Sequence, residues 1–191
     1  MRNTLLLLFI SCTLFTYSQQ RNIELEDICA SGTFYPNTIS GFVNLNDGKS
    51  YCVQETEDDG ANSVLNVYDY ASGKRVKQLM SSTAISASGG RFSSYSFNQD
   101  QSKVLLYIRT EQIYRHSSAG SFIVYDLDTK SVVYKSGNEA VRYPTMNLQG
   151  NKVAYVQDNN LFVLDLLKGK TKQITKDGET NSIINGAVDW V

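Results

Sequence analysis

The sequence predicts an all-β protein: an incomplete β-propeller of about three four-stranded blades, preceded by a signal peptide and a short lead-in segment. Three observations support this prediction. Helical periodicity is scarce after Tyr35, short apolar runs alternate with clusters of Asn, Asp and Gly, and the runs recur in three similar units. With 191 residues, 41% of them hydrophobic, the chain has the length of one domain and enough apolar surface for a packed core.

Residues 1–18 are predicted to be a secretory signal peptide. A basic start is followed by an apolar run at residues 5–10, and the small residues Thr16 and Ser18 precede a suitable cleavage point. The apolar run is shorter than the roughly 20 residues that span a bilayer. This pattern predicts export to the periplasm, the cell surface or the extracellular space. A lipoprotein signal with Cys12 as the lipidated residue and an uncleaved anchor are the alternatives.

The lead-in segment is predicted to span residues 19–40, and the partial propeller residues 41–191. Within the lead-in, residues 23–28 are predicted to form one or two helical turns. These turns end before Ser31-Gly32, because glycine interrupts a helical pattern.

The propeller prediction depends on a unit that occurs three times. Each copy has a turn with Lys, an apolar strand, a second apolar strand that ends in Asp, another turn with Lys, and a shorter strand. We predict that three sets of residues occupy equivalent positions in the three copies. The first Lys is residue 49, 103 and 152, the Asp is residue 69, 126 and 165, and the second Lys is residue 74, 130 and 170. Periods of about 40–50 residues with several strands each are typical of propeller blades.

The copies are unevenly spaced, which predicts insertions at residues 55–62 and 111–120, inside the hairpins. Stacked blades bury each other's faces, and a closed ring leaves only short edges open. Three blades would instead form an arc with exposed ends. We therefore expect this chain to be the first part of a larger protein.

The composition argues against several classes of function. Lys and Arg number 18 and Asp and Glu 19, a net charge of −1 that argues against a nucleic-acid binder and gives no reason to expect an anionic membrane as partner. With one His and three Cys, a zinc site would use nearly all the available ligands, and a Ser-His-Asp hydrolase would have to use His116. We expect neither a metal nor a cofactor.

Cleavage of the signal peptide would leave two cysteines, Cys29 and Cys52. Export makes a disulfide between them possible. Two cysteines do not form a disulfide framework, however, so two separate, partly buried thiols are an equal alternative.

Three further patterns have competing interpretations. The acidic residues at 55, 57, 58 and 59 could bind calcium, but their spacing does not match an EF-hand loop, which favours a solvated loop. Residues 86–90 are Gly-rich, but no Lys-Ser/Thr follows, which favours a linker between blades over a phosphate-binding loop. The tyrosines at 107, 114, 125 and 134 could stack on bases, but the net charge favours packing within the sheets.

Residues 113–126 read Ile-Tyr-Arg-His-Ser-Ser-Ala-Gly-Ser-Phe-Ile-Val-Tyr-Asp. This stretch resembles the second-blade hairpin of the dipeptidyl peptidase IV family, which belongs to the prolyl oligopeptidase superfamily of serine peptidases. Residues 23–32 resemble the segment before the first blade of that family, and residues 152–163 and 185–191 resemble its third blade and the start of the next. The resemblance covers essentially the whole chain after the signal. Cys29 departs from it, because the family pattern favours an aromatic residue there.

The resemblance implies a secreted or surface serine exopeptidase that removes a dipeptide from a free N-terminus, preferably after Pro or Ala. In that family an eight-bladed propeller caps an α/β-hydrolase domain that holds the catalytic triad, and two consecutive Glu bind the α-ammonium group of the substrate. The Arg of the Arg-His-Ser stretch helps to hold a backbone carbonyl of the substrate, so the resemblance assigns this role to Arg115.

A guanidinium suits such a role because it stays charged and presents rigid donors. The alternative is a surface Arg115 paired with Glu111 or Asp126. His116 is predicted to be structural, and Ser117 to be a turn donor rather than a nucleophile.

Parts of the family pattern are not found in the 191 residues. No Gly-x-Ser-x-Gly elbow follows the signal, no triad can be mapped, and the paired Glu would come after Val191. We therefore predict no catalytic residue and expect the chain alone to be inactive, with the hydrolase domain as its missing partner and a homodimer possible for the intact enzyme. In that enzyme the region would gate access and, through Arg115, orient the peptide. The alternative is a short secreted protein-binding module built on propeller blades.

Overall fold

The computed structural model describes residues 22–36, 41–86, 90–115 and 117–187. The chain divides into two compact units, Met1–Thr38 and Ile39–Val191. The first unit contains the helix α1 (Leu25–Cys29), close to the predicted helical turns. The predicted signal peptide lies outside the described residues, and its cleavage and the domain boundaries at residues 18 and 40 stay predictions. Among the described residues, no helix is long and apolar enough to cross a membrane.

The second unit contains three four-stranded antiparallel sheets, which we call blades one, two and three. Blade one consists of β1 (Val43–Asn44), β2 (Ser50–Glu57), β3 (Asn62–Asp69) and β4 (Arg75–Ser81), and a short 3-10 helix (Ser82–Ala84) follows it. Blade two consists of β5 (Phe92–Phe97), β6 (Lys103–Tyr114), β7 (Ser117–Asp126) and β8 (Ser131–Lys135). Blade three consists of β9 (Arg142–Met146), β10 (Lys152–Gln157), β11 (Asn160–Asp165) and β12 (Lys170–Gln173). The strands of each blade are adjacent in chain order, which confirms the predicted four-stranded blades.

The Gly-rich segment at residues 86–90 lies between β4 and β5, and therefore between blades one and two. Residues 87–89 of this segment are outside the described residues.

Blade two packs against both of its neighbours, and successive side chains of β6 serve the two interfaces in turn. Val104, Leu106 and Ile108 join a buried cluster with residues of blade one such as Cys52 and Leu65. Leu105 and Tyr107 join a second buried cluster with residues of blade three, namely Val153, Tyr155 and Leu164. Because side chains alternate between the faces of a sheet, a strand that is buried on both sides is apolar along its length.

The recurring aspartates end the third strand of each blade and shape the turn that follows. Each Oδ1 accepts a hydrogen bond from the backbone N–H three positions on, at 2.8, 2.8 and 3.0 Å, in the pairs Asp69–Ser72, Asp126–Thr129 and Asp165–Lys168. Aspartate stabilises turns through such bonds, which explains its recurrence.

The predicted alignment of the lysines is wrong by one residue in two places. Ser50, not Lys49, pairs with the aspartate of blade one, as Lys103 and Lys152 do in the other blades. Lys130 has a φ of 53°, which corresponds to the glycines at 73 and 169 rather than to a strand residue. In blade two, Thr129 and not glycine precedes the Lys. The sequence therefore does not show whether Lys130 takes the position of the glycine or that of the lysine in the other two turns.

Candidate functional site

The hairpin formed by β6 and β7 is longer than its counterparts. These strands have 12 and 10 residues, against 8 and 8 in the hairpin of blade one and 6 and 6 in that of blade three. We call residues 109–120 the arm. The insertion predicted at residues 111–120 lies in this extension. The one predicted at 55–62 corresponds to the ends of β2 and β3 and the turn between them.

The arm begins where the pairing of β6 and β7 becomes irregular. The register shifts between Ile108 and Glu111, and Arg109 has a φ of 49° at this point. A Cβ on Gly120 would lie 2.6 Å from the carbonyl oxygen of Ile108, so only glycine fits there. The Arg109 guanidinium donates a hydrogen bond to Oδ1 of Asn138 at 2.9 Å. An irregularity of this kind bends a hairpin and redirects its side chains.

The base of the arm is joined to the segment that precedes blade three. Gly120 and Val141 exchange two backbone hydrogen bonds, with N–O distances of 2.9 and 2.7 Å. The hydroxyl of Tyr107 lies 2.9 Å from the carbonyl oxygen of Ser118 and 2.7 Å from that of Val141. The Tyr107 side chain is buried, and its burial raises the pKa of the phenol. The hydroxyl therefore stays protonated and remains a donor at physiological pH.

The tip of the arm presents Tyr114 and Arg115 to solvent. The Gln112 side chain donates from Nε2 to the carbonyl oxygens of Tyr114 and Arg115, at 2.7 and 2.9 Å. Tyr114 pairs with Ser117 across the hairpin, and its side chain is 64% exposed. The Arg115 side chain is also exposed. The turn is thus held by its own side chain while Arg115 is left accessible.

The charge of Arg115 is not taken up by the carboxylates that the sequence suggested as alternatives. Among the described residues, no ion pair joins Arg115 to Glu111 or Asp126. Asp126 lies instead 3.6 Å from the ammonium group of Lys103. The guanidinium therefore has its donors free for a ligand as far as these two carboxylates are concerned.

The sequence also predicts roles for the two residues that follow Arg115, His116 and Ser117. His116 lies outside the described residues. Ser117 is 5% exposed, and its Oγ has no hydrogen-bond partner within the described part of the chain. The prediction of a turn donor at Ser117 is therefore wrong, because its buried hydroxyl bonds to no group of the turn that the structure describes.

The four tyrosines considered for base stacking divide into two groups. Tyr107 and Tyr125 are buried, and the ring of Tyr134 stacks on Phe122 with centroids 5.7 Å apart. Sheet packing is confirmed for these three. For Tyr114 the same prediction is wrong, because this residue lies at the end of β6 in the arm and its side chain is 64% exposed.

The acidic residues of the blade-one hairpin bind protein groups. The Glu55 carboxylate accepts hydrogen bonds from Asn66 and Tyr68, and that of Asp58 accepts one from Asn62 at 2.6 Å. Within the parts of the chain that the structure describes, His, Cys, Asp and Glu form no group of three or more that could hold a metal ion. The thiols of Cys29 and Cys52 are free; the first is exposed and the second buried, which raises the pKa of the Cys52 thiol.

A cavity of about 450 Å³ borders the base of the arm, with Tyr107, Ser118 and Tyr143 in its wall. Tyr143 has a φ of 52°, which is uncommon for an aromatic residue, and its hydroxyl has no partner among the described residues. Sequence reasoning missed this region. Its contacts join residues as distant as 107 and 141, and no local pattern marks such a pairing.

The family model for the dipeptidyl peptidase IV (DPP IV) N-terminal region matches residues 98–191, which include the arm and blade three. The chain belongs to the dipeptidyl peptidase IV family. The resemblance inferred from the Arg-His-Ser stretch is therefore confirmed, although residues 188–191 of the match lie outside the described residues.

Individual dipeptidyl peptidase IV relatives are similar over most of the chain. It is 28% identical to prolyl endopeptidase FAP of Homo sapiens over 204 residues, which is 99% of this chain and 25% of the relative. It is 34% identical to dipeptidyl aminopeptidase B of Saccharomyces cerevisiae over 146 residues, 74% of this chain and 16% of the relative. The crystal structure of Porphyromonas gingivalis dipeptidyl peptidase 4 superposes with a TM-score of 0.73 and 32% identity, over 89% of this chain and 24% of that one.

This superposition confirms that the three blades are a partial β-propeller like that of a dipeptidyl peptidase IV family member. The chain spans a quarter or less of the length of each of these relatives.

Proposed function

We propose that this chain is the N-terminal propeller region of an exported dipeptidyl peptidase, and that Arg115 at the tip of the arm binds a backbone carbonyl of the peptide substrate. The intact enzyme releases Xaa-Pro or Xaa-Ala dipeptides from a free N-terminus. Its catalytic triad comes from an α/β-hydrolase domain outside the 191 residues, and the propeller region gates access to that domain. Family membership and the peptidase names of the relatives support the reaction class.

The observation that carries the role of Arg115 is an accessible guanidinium at the end of a hairpin that is fixed at its base and at its turn. The base is joined to Val141, and the turn is closed by Gln112. An exposed arginine on a loose loop would lose much of its binding free energy in the ordering of the loop. The hydrogen bonds of the arm reduce that cost.

In this role Arg115 donates N–H groups to a carbonyl oxygen of the bound peptide. The guanidinium is charged at every working pH and its donors have a fixed geometry, so it holds the peptide in one orientation as well as attracting it. Correct orientation of a substrate accounts for a large part of many rate enhancements. Arg115 contributes no proton and no nucleophile to the reaction.

Kinetics of the complete gene product test this proposal, expressed from the whole reading frame that contains these codons. We expect hydrolysis of a Gly-Pro anilide, and a fall in kcat/KM of about 10- to 100-fold for Arg115→Ala, the range for loss of one hydrogen bond to a charged group. Arg115→Lys keeps the charge but not the fork and should lie in between. Arg75→Ala, which removes an exposed arginine of the outer strand β4, is the matched control and should leave kcat/KM unchanged.

The results of this experiment distinguish the role of Arg115 from the peptidase activity itself. Hydrolysis by the wild type with an unaffected Arg115→Ala variant would contradict the role of Arg115. Absence of hydrolysis by the wild type would contradict the peptidase itself. Export is checked on the same preparation, because the mature N-terminus should begin at Gln19.

The alternative is a short secreted protein-binding module, and the apolar tip of the arm favours it. The side chains of Ile113 and Tyr114 are 42% and 64% exposed. Solvent-exposed aromatic side chains are common anchors in protein interfaces. A product that hydrolyses no peptide but forms a defined, protease-resistant oligomer in size-exclusion chromatography would support this function instead.

A further inference from the structure

We propose that Tyr107 is a positioning residue for Arg115. Its buried hydroxyl holds the base of the arm against the segment that leads into blade three, and so determines where the tip of the arm lies. This inference rests on the proposed function of Arg115.

The ring of Tyr107 packs within the blades, and its hydroxyl contacts the arm. The ring lies in the buried cluster between blades two and three, together with Phe122, Val141 and Tyr155. The hydroxyl reaches the carbonyl oxygen of Ser118, which is part of the arm, and that of Val141, which is part of the interblade segment. The single hydroxyl proton is shared between these two acceptors, and the oxygen therefore links them.

The arm needs such a link because its strands are not paired with the outer strands of the blade. β5 pairs with β6 only as far as Ile108, and β8 pairs with β7 only as far as Ile123. Beyond these points the arm is a two-stranded hairpin with an irregular register. Isolated two-stranded hairpins are marginally stable in water. The orientation of the arm therefore depends on its contacts at the base, which include the Gly120–Val141 pair and the Tyr107 hydroxyl. Side-chain hydrogen bonds of Arg109 to Asn138 and between Thr110 and Ser93 add to them.

A small change at the base of a hairpin produces a larger displacement at its tip. Misplacement of a substrate-binding group by about 1 Å can lower a rate by about two orders of magnitude. Tyr107→Phe keeps the buried ring and removes only the hydroxyl, while the Gly120–Val141 pair still holds part of the base. We therefore expect an intermediate effect, a fall in kcat/KM of about 3- to 10-fold.

The chain offers a matched control in Tyr95. The Tyr95 hydroxyl donates to the carbonyl oxygens of Gly41 and Cys52, at 2.6 and 3.2 Å, and so links blades one and two in the way that Tyr107 links the arm and blade three. Its hydroxyl makes no bond to the described residues of the arm. Tyr95→Phe should lower the Tm of the protein to a similar extent and change kcat/KM less than twofold.

The test measures kcat/KM of the complete gene product for a Gly-Pro anilide in Tyr107→Phe, Arg115→Ala and the double variant. If Tyr107 acts through Arg115, Tyr107→Phe lowers kcat/KM alone but has no further effect when Arg115 is already alanine. Hydrogen exchange gives a second measurement. Amides of residues 112–119 should exchange faster in Tyr107→Phe, with the exchange of the blade strands unchanged.

Three results would overturn the inference while leaving the role of Arg115 intact. The first is an Arg115→Ala variant that is impaired beside a Tyr107→Phe variant that is not. The second is a Tyr107→Phe effect that persists in full in the Arg115→Ala background. The third is an equal effect of Tyr95→Phe, since a general loss of stability would then explain both. An Arg115→Ala variant with normal kinetics would instead contradict the proposed function, and the inference with it.

Discussion

Lys130 holds a backbone conformation that the equivalent turns of blades one and three leave to glycine. Its φ is 53°, and the corresponding Gly73 and Gly169 have φ values of 65° and 61°. A residue with a Cβ loses about 1–2 kcal/mol in this left-handed region. The turn of blade two therefore contains backbone strain that its two counterparts avoid.

Replacing this lysine by glycine should stabilise the protein. Lys130→Gly removes the strain, and the greater freedom of glycine in the unfolded chain offsets about 0.5–1 kcal/mol of the gain. We expect a net increase of about 0.5 kcal/mol in the free energy of unfolding, measured by urea denaturation of the purified chain. Lys172→Gly, in the exposed strand β12, is the control and should destabilise the chain. A lower denaturation midpoint for Lys130→Gly would contradict the assigned conformation.

The two tyrosines of the arm region show what single residues reveal in a sequence and what they do not. Tyr107 and Tyr114 both occur in the same strand, β6, yet one is 8% and the other 64% exposed. The difference arises near Arg109, where the register shifts and beyond which β5 no longer pairs with β6. Arg115 could be proposed from the motif around it. The contact of Tyr107 with Val141 could not, because it depends on how blade three packs on blade two.

The sequence predicts the buried strands more clearly than the exposed ones. It predicts β6 and β7 clearly, because blade two is covered on both faces and their apolar runs are uninterrupted. The sequence does not locate the first strand of each blade. In β5, for example, Ser93, Ser94 and Ser96 are exposed, so this strand lacks an apolar run. In blade one the first strand has only 2 residues. The number of strands in each blade followed from the propeller pattern and not from local propensity.

The turns between strands should make the stability of the fold depend on pH. The pKa of Asp126 is lowered chiefly by the backbone N–H of Thr129, and Lys103 contributes to the same shift. The pKa values of three other turn aspartates, Asp47, Asp69 and Asp100, are also lowered, in each case first by a serine hydroxyl. These groups favour the charged form in the folded state.

We expect the chain to lose stability as the pH falls below the ordinary pKa of aspartate, about 3.9. In that range the unfolded chain binds protons that the folded chain does not yet bind, so the free energy of unfolding decreases until the folded carboxylates are protonated as well. In Asp126→Asn the amide oxygen can still accept the Thr129 bond but does not titrate. Its Tm should therefore fall less between pH 5 and pH 3 than that of the wild type.

Asp128→Asn is the control for this experiment, because the exposed Asp128 carboxylate takes no part in the turn hydrogen bonds described above. It should follow the wild type. Equal pH slopes for Asp126→Asn and the wild type would show that the turn carboxylate does not contribute.

In the whole second unit, two buried clusters join three blades, and the arm is the part that leaves this arrangement. Polar contacts support the stacking at the turns: Asn46 donates from Nδ2 to the carbonyl oxygen of Gln99 at 2.6 Å, and the N–H of Gln99 donates to that of Leu148 at 2.9 Å. The blades thus provide a fixed base, and the arm carries an exposed arginine away from it. This division of roles is the core of the proposed function.

A crystal structure of the complete gene product with a Xaa-Pro ligand bound would test the role of Arg115 most directly. A guanidinium nitrogen of Arg115 should lie about 2.7–3.2 Å from a backbone carbonyl oxygen of the ligand. The Tyr107 hydroxyl should keep its contacts with the carbonyl oxygens of Ser118 and Val141. A ligand whose carbonyl groups are held by other residues, with Arg115 in solvent or paired with Glu111, would contradict the proposed role of Arg115.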